Sequence, residues 1–258
     1  MPPPPTPGRA ARSRRHRTDV RRRRLGLLLA LSLVALVTGL VTAFGGGGSP
    51  SAHLPPPASA ARLLPAGPPT LQAIARLGAL TVDLPVNQSR VTAIGYYASS
   101  DGALSLDPIG TQANQGLLRR VVRAIFGGGS GGPHWYQLPG GSGPSLSALD
   151  VGAAPGTDVY SPADGTIVGI EKVIINGRVQ GERIDIQPTA APSLVLGVAD
   201  LAADPSLTVG AAVTAGSTKL GTLLDLAKVE HQTLSRYTND AGNHVLVEVR
   251  AAASLAVR

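Results

Sequence analysis

The sequence has no cysteine and very few aromatic residues. Cys is absent from all 258 residues, which excludes disulfide bonds and thiolate metal sites. Phe, Trp and Tyr make up 3% of the chain, so a base-stacking surface for nucleic acid is not expected. A chain without cysteine relies on its core rather than on disulfides, which is compatible with a bacterial protein outside the cytoplasm but does not specify the compartment.

Positive charge is scarce outside the first 24 residues. Residues 1–24 hold nine arginines and one acidic residue, Asp19, whereas the remaining 234 residues carry 14 basic and 15 acidic side chains. The basic pI therefore belongs to a short tail attached to a nearly neutral body. This distribution gives no indication of a nucleic-acid partner.

A single long apolar run follows the basic tail. Residues 25–44, LGLLLALSLVALVTGLVTAF, contain no charged residue, and about 20 apolar residues are enough for a helix to cross a bilayer. The arginines before it place the N-terminus in the cytoplasm. A cleaved signal peptide is the alternative, but its apolar region is usually only about 7–15 residues long. We expect a single-pass anchor in the cell membrane and an extracytoplasmic C-terminal part.

The composition divides the chain into five regions. Residues 1–24 are predicted to be a disordered cytoplasmic tail, 25–44 a transmembrane helix and 45–70 a Pro/Gly linker. Residues 71–131 are predicted to form a short α/β extension. In it, LQAIARLG is a short helix, ALTVDLPV and RVTAIGYYA are strands joined by the turn NQS, GALSLDPIG is a third strand, and NQGLLRRVVRAIF is an amphipathic helix.

Residues 132–258 are predicted to be mainly β. Short segments of alternating polarity, from ALDVGA to NHVLVEVR, are separated by Gly, Pro and Asn-Gly. Such spacing is typical of a sandwich or barrel-like sheet. The INGR sequence at 175–178 predicts a hairpin with a type I′ turn, since Asn-Gly tolerates positive φ angles.

Three of these segments, in this order, resemble the lysostaphin-type (LytM-like) zinc metallopeptidases that cut peptidoglycan. ALDVGAAPGTDVYSPADGTIVGI resembles the family's opening motif and the strand after it. LTVGAAVTAGSTKLGTLL resembles its middle glycine-spaced stretch, and GNHVLVEVR resembles its closing Gly-x-His-x-His-Phe-Glu strand. The resemblance covers about Trp135 to Arg250 and implies a lysostaphin-like β-sheet domain of the duplicated hybrid motif type.

The resemblance also implies a degenerate metal site. The family's three zinc ligands fall at Leu146, Asp150 and Leu246, and the glycine of its opening motif falls at Ala148. Its two catalytic histidines that do not bind zinc fall at or beside Asp200 and at His244. Aliphatic side chains donate no lone pair, so zinc is not expected to bind tightly.

Ordinary structural roles are open for the same residues. Asp150 could cap backbone amides and Asp200 could be a turn residue. His244 could form a hydrogen bond with Asp150 across the pocket, as a structural pair. His134 and His231 are the other histidines of this region, and neither has a second ligand at metal spacing. A lipoyl or biotinyl carrier also uses such a β fold, but none of Lys172, Lys219 and Lys228 lies at a predicted hairpin tip.

We therefore predict a membrane-anchored domain that acts at the bacterial cell envelope without a cofactor. As a non-catalytic member of the family, it would bind peptidoglycan or regulate a cell-wall hydrolase or divisome protein. The alternative is an active zinc endopeptidase that cleaves peptidoglycan cross-links and holds its metal with unusual ligands.

Overall fold

The computed structural model describes residues 66–99, 102–114 and 132–253, all within one compact unit, 58–258. The predicted cytoplasmic tail, apolar run and amphipathic helix, and most of the linker, lie outside these residues. In the described part of the chain no helix has the length and hydrophobicity to span a membrane.

The described residues form short strands and three single-turn 3₁₀ helices. The strands are β1 (Ala73–Leu77), β2 (Leu80–Asp83), β3 (Ile94–Tyr97), β4 (Asp107–Pro108), β5 (Thr111–Gln112), β6 (His134–Gln137), β7 (Ala148–Gly152), β8 (Asp158–Tyr160), β9 (Gly165–Ile175), β10 (Arg178–Pro188), β11 (Leu194–Ala203), β12 (Ala212–Val213), β13 (Lys219–Leu223) and β14 (His244–Ala251). The 3₁₀ helices are Gln88–Arg90, Leu226–Lys228 and Thr233–Tyr237. The mainly β prediction is confirmed for residues 132–253.

One large sheet carries most of the fold. Its strands follow the order β12-β9-β10-β11-β14-β7-β3-β6-β5, and β13 joins β11 to β8. A second sheet has the order β2-β1-β4. Strand β3, from the predicted extension, is hydrogen-bonded to β7, so residues on both sides of position 132 share the large sheet.

The side chains of the central strands β7 and β14 alternate between the two faces of this sheet. Leu149, Val151, Val245 and Val247 belong to the main hydrophobic core and are fully buried. Because successive side chains of a strand point to opposite sides, the residues between them lie on the other side. We call that side, which carries Asp150, His244, Leu246 and Glu248, the cleft face.

The predicted helix at LQAIARLG is wrong. Residues Ala73–Leu77 are strand β1, paired with β2 and β4. Ile74 and Ala75 of this strand are fully buried in the main hydrophobic core. Periodicity alone cannot separate a short apolar strand from a helical turn, and here sheet pairing decides the outcome.

The predicted turn NQS does not join the strands into a hairpin. Gln88–Arg90 form a 3₁₀ helix that begins after Asn87, whose side-chain oxygen accepts a hydrogen bond from the Ser89 N–H at 3.0 Å. The strands on either side, β2 and β3, belong to different sheets. The polar segment therefore separates the two strands, as predicted, but the strands that flank it do not pair with each other.

The predicted Asn-Gly hairpin is confirmed between β9 and β10. Ile175 and Arg178 are paired across it, and Asn176 and Gly177 have φ angles of 52° and 75°. Positive φ at both central residues defines a type I′ turn, whose twist matches that of the strands. The two 11-residue strands therefore extend as one long hairpin, with Ile175 at the edge of a cleft.

Candidate functional site

The cleft face forms the floor of a cleft of about 380 Å³. Asp150 from β7, Asp200 from β11, and His244 and Leu246 from β14 line it. Its walls come from the β9–β10 hairpin, from residues 138–141 and from the segment 230–233. The sheet thus brings together four of the six positions that the sequence singled out.

His244 lies between two carboxylates. Its Nε2 is 3.4 Å from Asp150 Oδ1 and 3.8 Å from Asp200 Oδ2. Its Nδ1 is 2.9 Å from the carbonyl oxygen of Gly242. A carbonyl only accepts, so Nδ1 carries hydrogen and donates it, which leaves Nε2 facing the carboxylates. His244 and Asp150 are thus in contact, but the predicted hydrogen bond between them is not formed.

A β-bulge directs Asp200 into the cleft. Between the pairs Ile184–Val198 and Glu182–Leu201 the register shifts, because β11 has one residue more than β10. Asp200 lies at this bulge and has a φ angle of 68°. Aspartate is one of the few non-glycine residues that tolerate this region, and bulges commonly re-aim side chains beside functional sites. The interpretation of Asp200 as an ordinary surface-turn residue is therefore wrong.

Burial dominates the electrostatics of the two aspartates. Desolvation raises the pKa of Asp150 to about 7; the imidazolium of His244 opposes this, whereas Asp200 and Glu248 add to it. Desolvation likewise raises the pKa of Asp200 to about 6. Burial lowers the pKa of His244, but Asp150, the Gly242 carbonyl and Asp200 outweigh it, so the net direction is upward. Proton uptake by one member therefore depends on the others.

A buried network of ion pairs lies on the cleft face beside this cluster. Glu248 is 4% exposed and is paired with Arg183 Nη1 at 3.2 Å and Arg250 Nη2 at 2.7 Å. The Arg183 Nε also donates to Asp185 Oδ1 at 2.7 Å. Arg183 reaches Glu248 across Gly197, where a Cβ would collide with its guanidinium. A glycine on β11 is therefore required for the network to close.

The loop above His244 is fixed by an asparagine. Asn243 is buried, its Oδ1 accepts from the Ala227 N–H at 2.8 Å, and its Nδ2 donates to Asp225 Oδ1 at 3.1 Å. These bonds tie the start of β14 to the 3₁₀ helix Leu226–Lys228. The segment that continues from this helix carries Glu230 to the rim of the cleft.

Two predicted site positions lie outside the cleft lining. Leu146 has a φ of 60° and packs against the main core, so the expectation that it shares a pocket with Leu246 is wrong. Ala148 is buried on the cleft face opposite Glu248, without lining the cleft. The left-handed residue at 146 precedes β7 and breaks the alternation that would have aligned it with Asp150.

These donors do not fit the three-ligand zinc site that the resemblance implies. Of the three ligand positions only Asp150 carries a lone pair; Leu246, its Cα partner across the β7–β14 ladder, presents an aliphatic side chain. Among the described residues, no group of three or more His, Cys, Asp or Glu side chains is arranged to hold a metal. The mismatch lies in the donor chemistry, because zinc in proteins takes nitrogen, sulfur or carboxylate ligands.

The sequence did not point to several residues that line the cleft. Tyr97 comes from β3, Glu230 from the segment after a 3₁₀ helix, and Ile175 from the hairpin. In the sequence, His231 was a candidate only for metal binding; in the structure it lies in the wall of the cleft. No local pattern marks these residues, since each enters the cleft through pairing of distant segments.

Comparisons with known proteins find similarity only among solved structures. No family model and no curated protein matches the chain. Lysostaphin is 16% identical with a TM-score of 0.31, over 42% of this chain and 37% of its own. The M23 metalloprotease pseudoalterin, from the deep sea, is 16% identical with a TM-score of 0.34, over 67% of this chain and 71% of its own.

A sporulation assembly is also similar. The SpoIIQ–SpoIIIAH pore-forming complex contains a chain that is 18% identical, with a TM-score of 0.34, over 70% of this chain and 85% of its own. This protein spans little more than a third of the length of lysostaphin. Lysostaphin and the M23 metalloprotease bear names of the metallopeptidase family that the sequence motifs resemble.

Proposed function

We propose that this protein is a non-catalytic wall-binding module of the bacterial cell envelope, anchored in the cell membrane by residues 25–44. It would hold a peptide of peptidoglycan in the cleft and leave its bonds intact. The observation that supports this is the aliphatic side chain of Leu246 at the centre of the cleft face. Leu246 lies where an imidazole would face Asp150 across the strand pair.

The remaining polar groups are suited to binding. Asp150, Asp200 and His244 can accept or donate hydrogen bonds to a peptide, and the walls around them are partly apolar. Ligand sites commonly combine apolar walls with a few convergent polar groups. A metallopeptidase uses its metal to activate water and polarise the carbonyl, and Leu246 offers a metal beside Asp150 no lone pair.

Binding is tested by co-sedimentation of the purified full chain with isolated peptidoglycan sacculi. We expect the protein to pellet with sacculi, and Thr233→Trp, which fills the cleft wall, to weaken pelleting at least tenfold. Thr208→Trp places the same bulk on an exposed loop outside the cleft lining and should bind like the wild type. Equal binding by the two variants would show that the wall does not enter this cleft.

Catalysis is tested with the same material. Sacculi labelled with a covalent dye should release no dye on incubation with the chain and zinc. The purified chain should contain well under one zinc per molecule, and chelator should leave its melting temperature unchanged. Stoichiometric zinc with dye release would instead support the alternative, a zinc endopeptidase with unusual ligands.

A further inference from the structure

The cleft has an excess of acidic side chains. Among the described residues, its lining includes three carboxylates, on Asp150, Asp200 and Glu230, and two histidines, His231 and His244, but no lysine or arginine. Glu230 stands at the exposed rim, whereas Asp150 is only 3% exposed. A cleft lined by one sign of charge concentrates the field and attracts the opposite charge.

One carboxylate oxygen in the cleft lacks a hydrogen bond. Asp150 Oδ1 is buried and receives no hydrogen bond from any residue that the structure describes, although His244 Nε2 lies 3.4 Å away. A buried carboxylate oxygen without a donor is costly, because it has lost water and gained nothing in return. A ligand N–H at this point would supply the missing donor.

The carboxylates also repel one another. Asp200 and Glu248 oppose the negative charge on Asp150, and Glu230 and Glu248 oppose that on Asp200. His244 offsets part of this repulsion from the floor. A second cation, entering from the open side, would offset the rest. A metal ion is not suited to this place, since Leu246 occupies the position of a further ligand.

The walls fit an alkyl chain that carries such a cation. Leu138, Leu226, Leu246 and Ile175 line the cleft around its acidic floor. Alkyl ammonium groups bury their methylene stem on apolar surface and direct the charged end to polar partners. A primary ammonium has three donors on one nitrogen, so it can bond to more than one carboxylate at once.

We propose that the cleft binds a primary amino group of a cell-wall peptide, with the ammonium at Asp150 and Asp200 and its alkyl stem against Leu246. This proposal rests on the proposed function for the source of the amine. It adds the chemical class of the ligand: a wall peptide with a free amine binds, and one whose amine is blocked or cross-linked does not.

The test is calorimetric titration of the purified full chain with two peptides. The first is acetyl-Ala-Ala-Lys-Ala-Ala-amide, and the second is the same peptide acetylated on the lysine Nε. We expect the free amine to bind at least about tenfold more tightly, the scale of one charge-assisted contact in a partly buried site. Equal affinities, or no binding of either peptide, would overturn the proposal.

Variants locate the contact. Asp200→Asn keeps a residue that tolerates positive φ, and combined with Asp150→Asn it removes both proposed carboxylate partners and should abolish the preference for the free amine. Glu171→Gln removes one exposed carboxylate outside the cleft lining and should preserve it. A preference that survives in the cleft variant, with circular dichroism showing both variants folded, would place the amine elsewhere and refute the assignment.

Sacculi separate this proposal from the proposed function. Treatment with acetic anhydride blocks their free amines, and we expect the chain to co-sediment with untreated sacculi at least about tenfold better. Equal co-sedimentation with both would overturn the amine proposal and leave wall binding intact. No co-sedimentation with either would overturn the proposed function and, with it, the wall as source of the amine.

Discussion

Removal of Arg183 should destabilise the domain more than any surface charge change. Its guanidinium joins two buried carboxylates, with side-chain exposures of 13% for Arg183, 3% for Asp185 and 5% for Glu248. In Arg183→Met, Glu248 keeps Arg250 as a partner. Asp185 keeps none, because within the described residues it is paired with no other cation.

The expected loss follows from this unpaired carboxylate. Breaking a buried ion pair by removing one partner costs about 3–5 kcal/mol. For a domain of this size each kcal/mol lowers the melting temperature by about 2–4 °C, so the variant should melt roughly 6–20 °C lower. In Arg183→Met with Asp185→Leu the uncompensated charge is gone, and most of the loss should be recovered, since apolar replacement of a whole pair is nearly neutral.

Urea denaturation of the purified full chain at pH 7, followed by circular dichroism, measures these free energies of unfolding. Arg178→Met is the matched control: it lies on the same strand, exposed, and should change stability by less than about 0.5 kcal/mol. A loss below about 1 kcal/mol for Arg183→Met would refute the reasoning. Such a value is typical of solvated surface pairs, which would mean that water reaches the network.

Three further predictions concern the site, its titration and the anchor. Leu246→His should restore zinc binding together with Asp150 and His244, stabilising the chain by about 2.7 kcal/mol at a zinc concentration 100 times Kd. Leu146→His should not, because residue 146 packs in the core; equal gains in thermal shift would show that both positions face one site. The free energy of unfolding should fall as pH rises from about 4 to 8. In the native state Asp150 loses its proton at about pH 7 and Asp200 at about pH 6, both above their pKa in the unfolded chain. The pKa of His244 is also raised, so its loss of a proton lowers stability in the same direction. Asp150→Asn should flatten this fall in urea midpoints measured at pH 5, 6, 7 and 8, and parallel curves for the two proteins would contradict it. Finally, residues 25–44 should remain attached, so N-terminal sequencing of mature protein should not begin between residues 44 and 60; such a start would identify a cleaved signal peptide instead.

The sequence predicted the strands whose signal is local. The Asn-Gly turn at 176–177 requires positive φ at both residues and thereby specified the β9–β10 hairpin. Alternation in HVLVEVR by itself separated the core valines from His244, Leu246 and Glu248. The pattern of polarity did not distinguish strand from helix at Ala73–Leu77, since five residues are too few for either period to show.

The site was predictable where strand alternation carries it and not where pairing or bulges do. His244 and Leu246 share a face because they are two residues apart, and motif order placed Asp150 opposite them. Asp200 reaches the cleft because β11 has one extra residue. Leu146 lies outside the cleft because it adopts a left-handed conformation just before β7. Neither is visible in composition or period, because both arise from register between strands.

The sequence by itself determined which chemical groups are available: no thiol, and a leucine, an aspartate and a histidine in the segments whose motifs resemble the metallopeptidases. Only the tertiary structure decided that three carboxylates converge on one cleft with His244 between two of them. Local propensity acts over a few residues, whereas the charge balance of a cleft is summed over β7, β11, β14 and the segment at Glu230. That sum depends on which strands pair, and pairing is decided by burial of the whole sheet.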